Sequence, residues 1–133
     1  KKLKAFGKRI ADFIDEEGTN EAMQEFVNPL ADLGDKVTKL TTELGLKAFA
    51  NADEVGAAAV DYLRVVGHLT FAYLWARMAK IAIEKQASGD PFYTAKLATA
   101  RFYFAKLLPE TAGLIRSARA GVAPLMAMDE SLF

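Results

Sequence analysis

Leu3, Phe6, Ile10, Phe13 and Ile14 recur at steps of three and four with Lys, Asp and Glu between them, which predicts an amphipathic helix over about Lys2 to Glu17. Gly18 is expected to stop it in the left-handed conformation. Thr19 or Asn20 can cap a second helix, whose first turn carries Glu21, the right charge for the helix dipole. Phe26, Leu30, Leu33, Val37, Leu40, Leu44 and Phe49 mostly keep helical spacing past Asn28-Pro29. That favours one proline-kinked helix from about Asn20 to Phe49 over two shorter ones.

Asn51 or Asp53 caps a third and longest helix, about Ala52 to Ala87. Between Val60 and Ile83 it is apolar on most of its circumference, which predicts a central position. Gly56 and Gly67 each cost about 1 kcal/mol in a helix interior, a penalty that predicts another backbone close by. Ser88-Gly89 ends this helix, Asp90 caps the next, and Pro91 fits its first position. The fourth helix aligns Tyr93, Leu97, Phe104, Leu108 and Ile115, with Phe102 and Tyr103 directed elsewhere. Leu108-Pro109 bends or splits it, and Gly121 ends it.

The expected fold is therefore all-α, an up-and-down four-helix bundle with long, proline-kinked helices over residues 1–121. Residues 122–133 form a tail with Leu125, Met126, Met128, Leu132 and Phe133 but no period, expected to pack on a surface outside the bundle or to be disordered. At 133 residues, one core is enough. A 52% hydrophobic content is rich for a soluble helical domain, and the surplus suggests a covered partner surface and self-association into a homo-oligomer.

The 17 basic and 17 acidic residues cancel, which removes the electrostatic case for nucleic acid or an anionic membrane. The one basic cluster, Lys1, Lys2, Lys4, Lys8 and Arg9, reads as the solvated face of the first helix. The most apolar run, Val65 to Ala76, is interrupted by His68 and falls short of the roughly 20 residues a membrane span needs. Without a signal sequence, a cytoplasmic location is expected; the missing initial methionine suggests a piece of a longer chain.

Absence of cysteine excludes disulfides, thiolate metal sites and cysteine nucleophiles. A carboxylate-bridged di-metal site needs two Glu-x-x-His pairs, and the single histidine, His68, has no Glu three residues before it, so no metal is expected. No glycine-rich phosphate loop and no G-x-S-x-G nucleophile elbow occurs, and no catalytic residue is assigned. Asp61, Arg64 and His68 follow at steps of three and four and form a polar strip on an apolar helix. The strip suits a buried polar network tying helices together, or else anion recognition or acid/base work. Arg77 and Lys80, further along, suit a phosphate contact or a snorkelling edge position. Phe71, Tyr73, Trp75 and Met78 are expected in the core, and Glu43, Glu54, Glu84 and Glu110 on solvated faces or at caps.

Tyr62-Leu63-Arg64-Val65-Val66-Gly67-His68, then Trp75, Thr99-Ala100-Arg101-Phe102-Tyr103-Phe104 and Leu107-Leu108-Pro109-Glu110 resemble the C-terminal helical domain of acyl-CoA dehydrogenases. The similarity is to the branch that includes the 3-methylmercaptopropionyl-CoA dehydrogenases. The resemblance spans the chain and is strongest from Ala52 to Glu110. It implies a parent flavoenzyme that uses FAD to oxidise the α,β bond of an acyl-CoA thioester. Catalytic and most flavin-binding residues would lie in preceding domains, so no FAD is expected on this piece itself. The implied role is an accessory domain, non-catalytic by itself, packed on the dehydrogenase core of the same polypeptide. Two alternatives remain: a freestanding helical interaction module, and a small ligand-binding bundle that uses Arg64, His68 and Arg77.

Overall fold

The computed structural model describes residues 1–133, which form helices and short connections and no strand. Helix α1 spans Lys2–Glu17 and buries Ile10 and Phe13, with Phe6 and Ile14 half-buried on the same stripe. Gly18 does not adopt the expected left-handed conformation: its φ is −59°. The turn is closed by side chains instead. Gln24 Nε2 donates to the carbonyls of Glu17 and Asn20, each at 2.9 Å. The Asn20 amide donates to Glu17 Oε2 at 3.0 Å, so neither it nor Thr19 caps the next helix.

A short 3₁₀ turn, Glu21–Met23, leads into α2, Gln24–Ala50, which continues through Pro29 as one helix. Phe26, Val27, Leu30, Leu33, Val37 and Leu40 face the core, but α2 outruns that core. Phe49, expected inside, is 93% exposed. Asn51 Oδ1 accepts the Asp53 amide at 3.0 Å and opens α3, Asp53–Lys85.

Helix α3 is central and packs against α2 and against both helices that follow it. Its inward face is Val65, Leu69 and Tyr73 set among Ala58, Ala72, Ala76, Ala79 and Ala82. Small side chains there let neighbouring helices approach closely, which is how one helix serves several partners. Gly56 and Gly67 do not share in this: a methyl group added at either would meet nothing within 4 Å. The apolar back of α3 is open as well, and Phe71, expected in the core, is 56% exposed.

Gly89, at φ 77°, breaks the chain direction, and Asp90 Oδ1 accepts the Phe92 amide at 2.9 Å to start α4, Pro91–Phe102. A π-helical segment, Tyr103–Leu107, separates α4 from α5, Glu110–Arg119. Pro109 has no N–H to give the carbonyl four residues back, and the ladder widens so that Leu108 N–H reaches the Tyr103 carbonyl at 3.0 Å. α5 ends at Gly121, φ 77°, where the Val122 amide donates to Glu54 Oε2 at 3.1 Å. Arg119 grips Glu43 of α2 through two hydrogen bonds. The tail forms a single turn α6, Ala123–Met126, and a 3₁₀ turn, Glu130–Leu132, both exposed rather than packed on the bundle.

Candidate functional site

Arg64 and His68 lie one turn apart on α3 and both reach Glu110, in the first turn of α5. His68 Nε2 is 2.7 Å from Glu110 Oε2, and the Arg64 guanidinium donates to the other carboxylate oxygen. His68 and Arg64 hold the Glu110 carboxyl below its ordinary range, outweighing the opposing effect of desolvation. Ionised, it only accepts, so Nε2 is the donor.

On its other side the imidazole meets Tyr103, the first residue of the π segment. The Tyr103 hydroxyl lies 3.0 Å from Nδ1 and donates to the His68 carbonyl, also at 3.0 Å. One hydroxyl proton serves one acceptor at a time. The hydroxyl proton therefore goes either to the His68 carbonyl or to Nδ1. Burial pushes the Tyr103 phenol up to about 12, so it stays a donor across the physiological range. Trp75 stacks on Tyr103 with 6.4 Å between centroids, and Phe71 and Phe104 meet it edge-on.

Asp61 does not join this group: it is half-buried and forms no ion pair or side-chain hydrogen bond, so the strip of three expected on α3 contracts to Arg64 and His68. Arg77 is also apart, its guanidinium 5.6 Å over the Tyr73 ring. Lys80 is bound to Glu17 of α1, a carboxylate only 4% exposed that Asn20 also supports. The phosphate contact considered for Arg77 and Lys80 therefore finds no shared pocket. Glu110 and Tyr103 are the members that sequence spacing missed. Pro109 was the available signal, because a proline interrupts the winding just before Glu110 and so resets the phase at which that carboxylate meets α3.

Chemically, the group is a closed set of complementary donors and acceptors, and no buried side-chain polar atom in the chain lacks a partner. No cluster of three or more His, Asp or Glu side chains is arranged to hold a metal ion. No helix is long and apolar enough to cross a membrane.

A family model described as "Acetyl-CoA dehydrogenase C-terminal like" matches residues 6–129, nearly the whole chain. The chain belongs to this family. No curated protein matches it. As a member of this family, the chain is an all-helical domain of the acyl-CoA dehydrogenase C-terminal type, and the matched residues run from α1 into the tail.

Proposed function

We propose that this domain is the C-terminal accessory module of an FAD-dependent acyl-CoA dehydrogenase that oxidises the α,β bond of an acyl-CoA thioester. It packs on the dehydrogenase core of the same polypeptide and supports assembly or shapes the surroundings of the active site. A cytoplasmic location and a parent in the 3-methylmercaptopropionyl-CoA dehydrogenase-like branch go with this reading.

The family match over residues 6–129 carries the proposal. Its polar chemistry supports a non-catalytic part: Arg64, His68, Tyr103 and Glu110 are occupied with one another, and a satisfied network rigidifies the contact between α3 and α5. Asp61 and Arg77, lying outside this group, are assigned no site. FAD and acyl-CoA then bind in the preceding domains of the parent enzyme.

The test is dye-coupled acyl-CoA oxidation by the full-length parent, by the parent lacking this domain, and by the parent carrying His68→Gln. Supporting results are flavin retained in every form, lost solubility or assembly on truncation, and weakened folding without a selective loss of turnover in His68→Gln. Tight flavin binding by the 133-residue chain alone, or a parent gene without a flavoprotein domain, would overturn the reading.

A further inference from the structure

Helix α1 is charged against its own dipole. Lys2 and Lys4 stand in its first turn and Asp15, Glu16 and Glu17 in its last, the reverse of the order that steadies a helix. No side chain caps its start, and Gly7 lies in its interior. A 16-residue segment of this kind does not hold a helix in water by itself. α1 is therefore helical because it is docked.

The docking is thin along the helix and concentrated at one end. Only Ile10, Phe13 and Glu17 are buried. Phe6 and Phe13 meet Tyr73 of α3 edge-on, with centroids 6.0 and 5.7 Å from it. Toward α2, a cleft of about 530 Å³ is lined by Gly7 and Ala11 on one wall and Gly34 and Thr38 on the other. Small residues on facing helices ordinarily let them close up, yet a methyl group added at Gly7 or Gly34 would meet nothing within 4 Å, so the contacts of a packed seam are missing there. No hydrogen bond or ion pair joins residues 1–16 to α2 or to any later helix. Such ties begin at Glu17, whose carboxylate is held by Lys80 and Asn20 and whose carbonyl accepts from Gln24. The rest of the fold is laced crosswise, Arg101 to Glu25, Arg119 to Glu43, Tyr62 to Thr41 and His68 to Glu110.

We propose that α1 is a hinged strap. Residues 2–16 undock and unwind as one unit about a turn that Glu17, Lys80 and Gln24 keep in place, while α2, α3, α4 and α5 stay folded. Opening gives up the contacts of Phe6, Ile10, Phe13 and Ile14 and none of the crosswise lacing, so it takes less free energy than unfolding the whole chain. It bares Leu69 and Tyr73 of α3 and Val37 of α2, and so uncovers one side of the core without dismantling the others.

Native-state hydrogen exchange of the 133-residue chain in sub-denaturing urea, read peptide by peptide by mass spectrometry, tests the strap. Amides of residues 5–16 should exchange together, through an opening with a shallow urea dependence, while α3 amides exchange only through the steep, global one. Tyr103→Phe weakens contacts that both the closed and the strap-open forms retain. It should therefore speed exchange in α3 by about 5- to 30-fold and leave α1 within about twofold of wild type. Phe13→Ala removes a contact made only in the closed form and should speed α1 by about 30-fold or more. Exchange in α1 with the urea slope of α3, acceleration of α1 by Tyr103→Phe equal to that of α3, or an α1 rate indifferent to Phe13→Ala would each overturn the proposal. So would rates that climb steadily from Glu16 toward Lys2, the mark of fraying in place of a unit.

Discussion

Tyr103→Phe removes one oxygen from the centre of the molecule and leaves its ring in place. The ring's contacts with Trp75, Phe71 and Phe104 persist, so the apolar contribution is nearly unchanged. What goes is the 3.0 Å link to His68 Nδ1 and the bond to the His68 carbonyl. The His68 side chain is only 14% exposed, so Nδ1 has little water to turn to. A net hydrogen bond contributes about 1 kcal/mol and a stranded buried polar atom costs about 1 to 3, which sets the expected loss at about 1 to 2 kcal/mol. Urea titration at pH 7 should show this as a lower midpoint with an unchanged slope. A second signature comes from alkali. Because burial raises the folded-state value to about 12 from 10.0, the folded protein keeps a proton that the unfolded chain has lost in that interval. Wild-type stability attributable to Tyr103 is therefore complete below pH 10 and is lost as pH rises toward 12. The gap between wild type and Tyr103→Phe should narrow over that window. A loss at pH 7 below about 0.3 kcal/mol, or a gap that stays constant up to pH 12, would refute the reasoning.

Three further outcomes are expected. Lys80→Met should lower the urea midpoint and blunt the acid sensitivity of the protein. Chiefly through its hydrogen bond, Lys80 holds Glu17 below 4.5, so stability from this pair is present above that pH and is lost as pH falls through the lowered value. Lys80 is itself raised above 10.5, so the same pair weakens again as pH climbs past that point, and the variant should lack both limbs. Gly121→Ala should cost about 1 to 3 kcal/mol by thermal or urea melting, because φ 77° is strained for alanine and its methyl group would sit 3.0 Å from Glu54 Oε2. Trp75→Ala should cost about 2 kcal/mol, less than the 3 to 5 of a fully buried aromatic, since Trp75 is half-buried and shielded on one side by Lys96.

Local chemistry was legible where one residue settles one torsion or one bond. Ser88-Gly89-Asp90-Pro91 could be read directly, with a left-handed glycine, a side-chain cap and a proline at the first position, and all three are present. The loop after α1 could not, because Gln24 closes it from a distance and leaves Gly18 free to stay right-handed. Periodicity located the core stripes of α1 and α2 but not their ends, and Phe49 extends past the last helix that could cover it. On α3 the pattern marked nearly every face as apolar, and only the placement of α2, α4 and α5 separates the covered side from the open one. Arg64 and His68 were found by their spacing on one helix. Tyr103 and Glu110 were not, since they come from another arm of the fold, one at the start of an interruption in the winding and the other beyond it.

That interruption makes the length of one stretch matter as much as its composition. The π segment Tyr103–Leu107 takes up an extra residue, so everything after it is set in a different angular phase from α4. Deleting a single residue there would restore ordinary winding and relieve the widened ladder. It would also turn α5 by about 100° about its axis. Glu110 would swing off the imidazole while Ile115 and Ala118, now buried, rotated out of the core. The arm thus works as a phase shifter, and related chains that keep a carboxylate opposite this histidine should keep the residue count between the two.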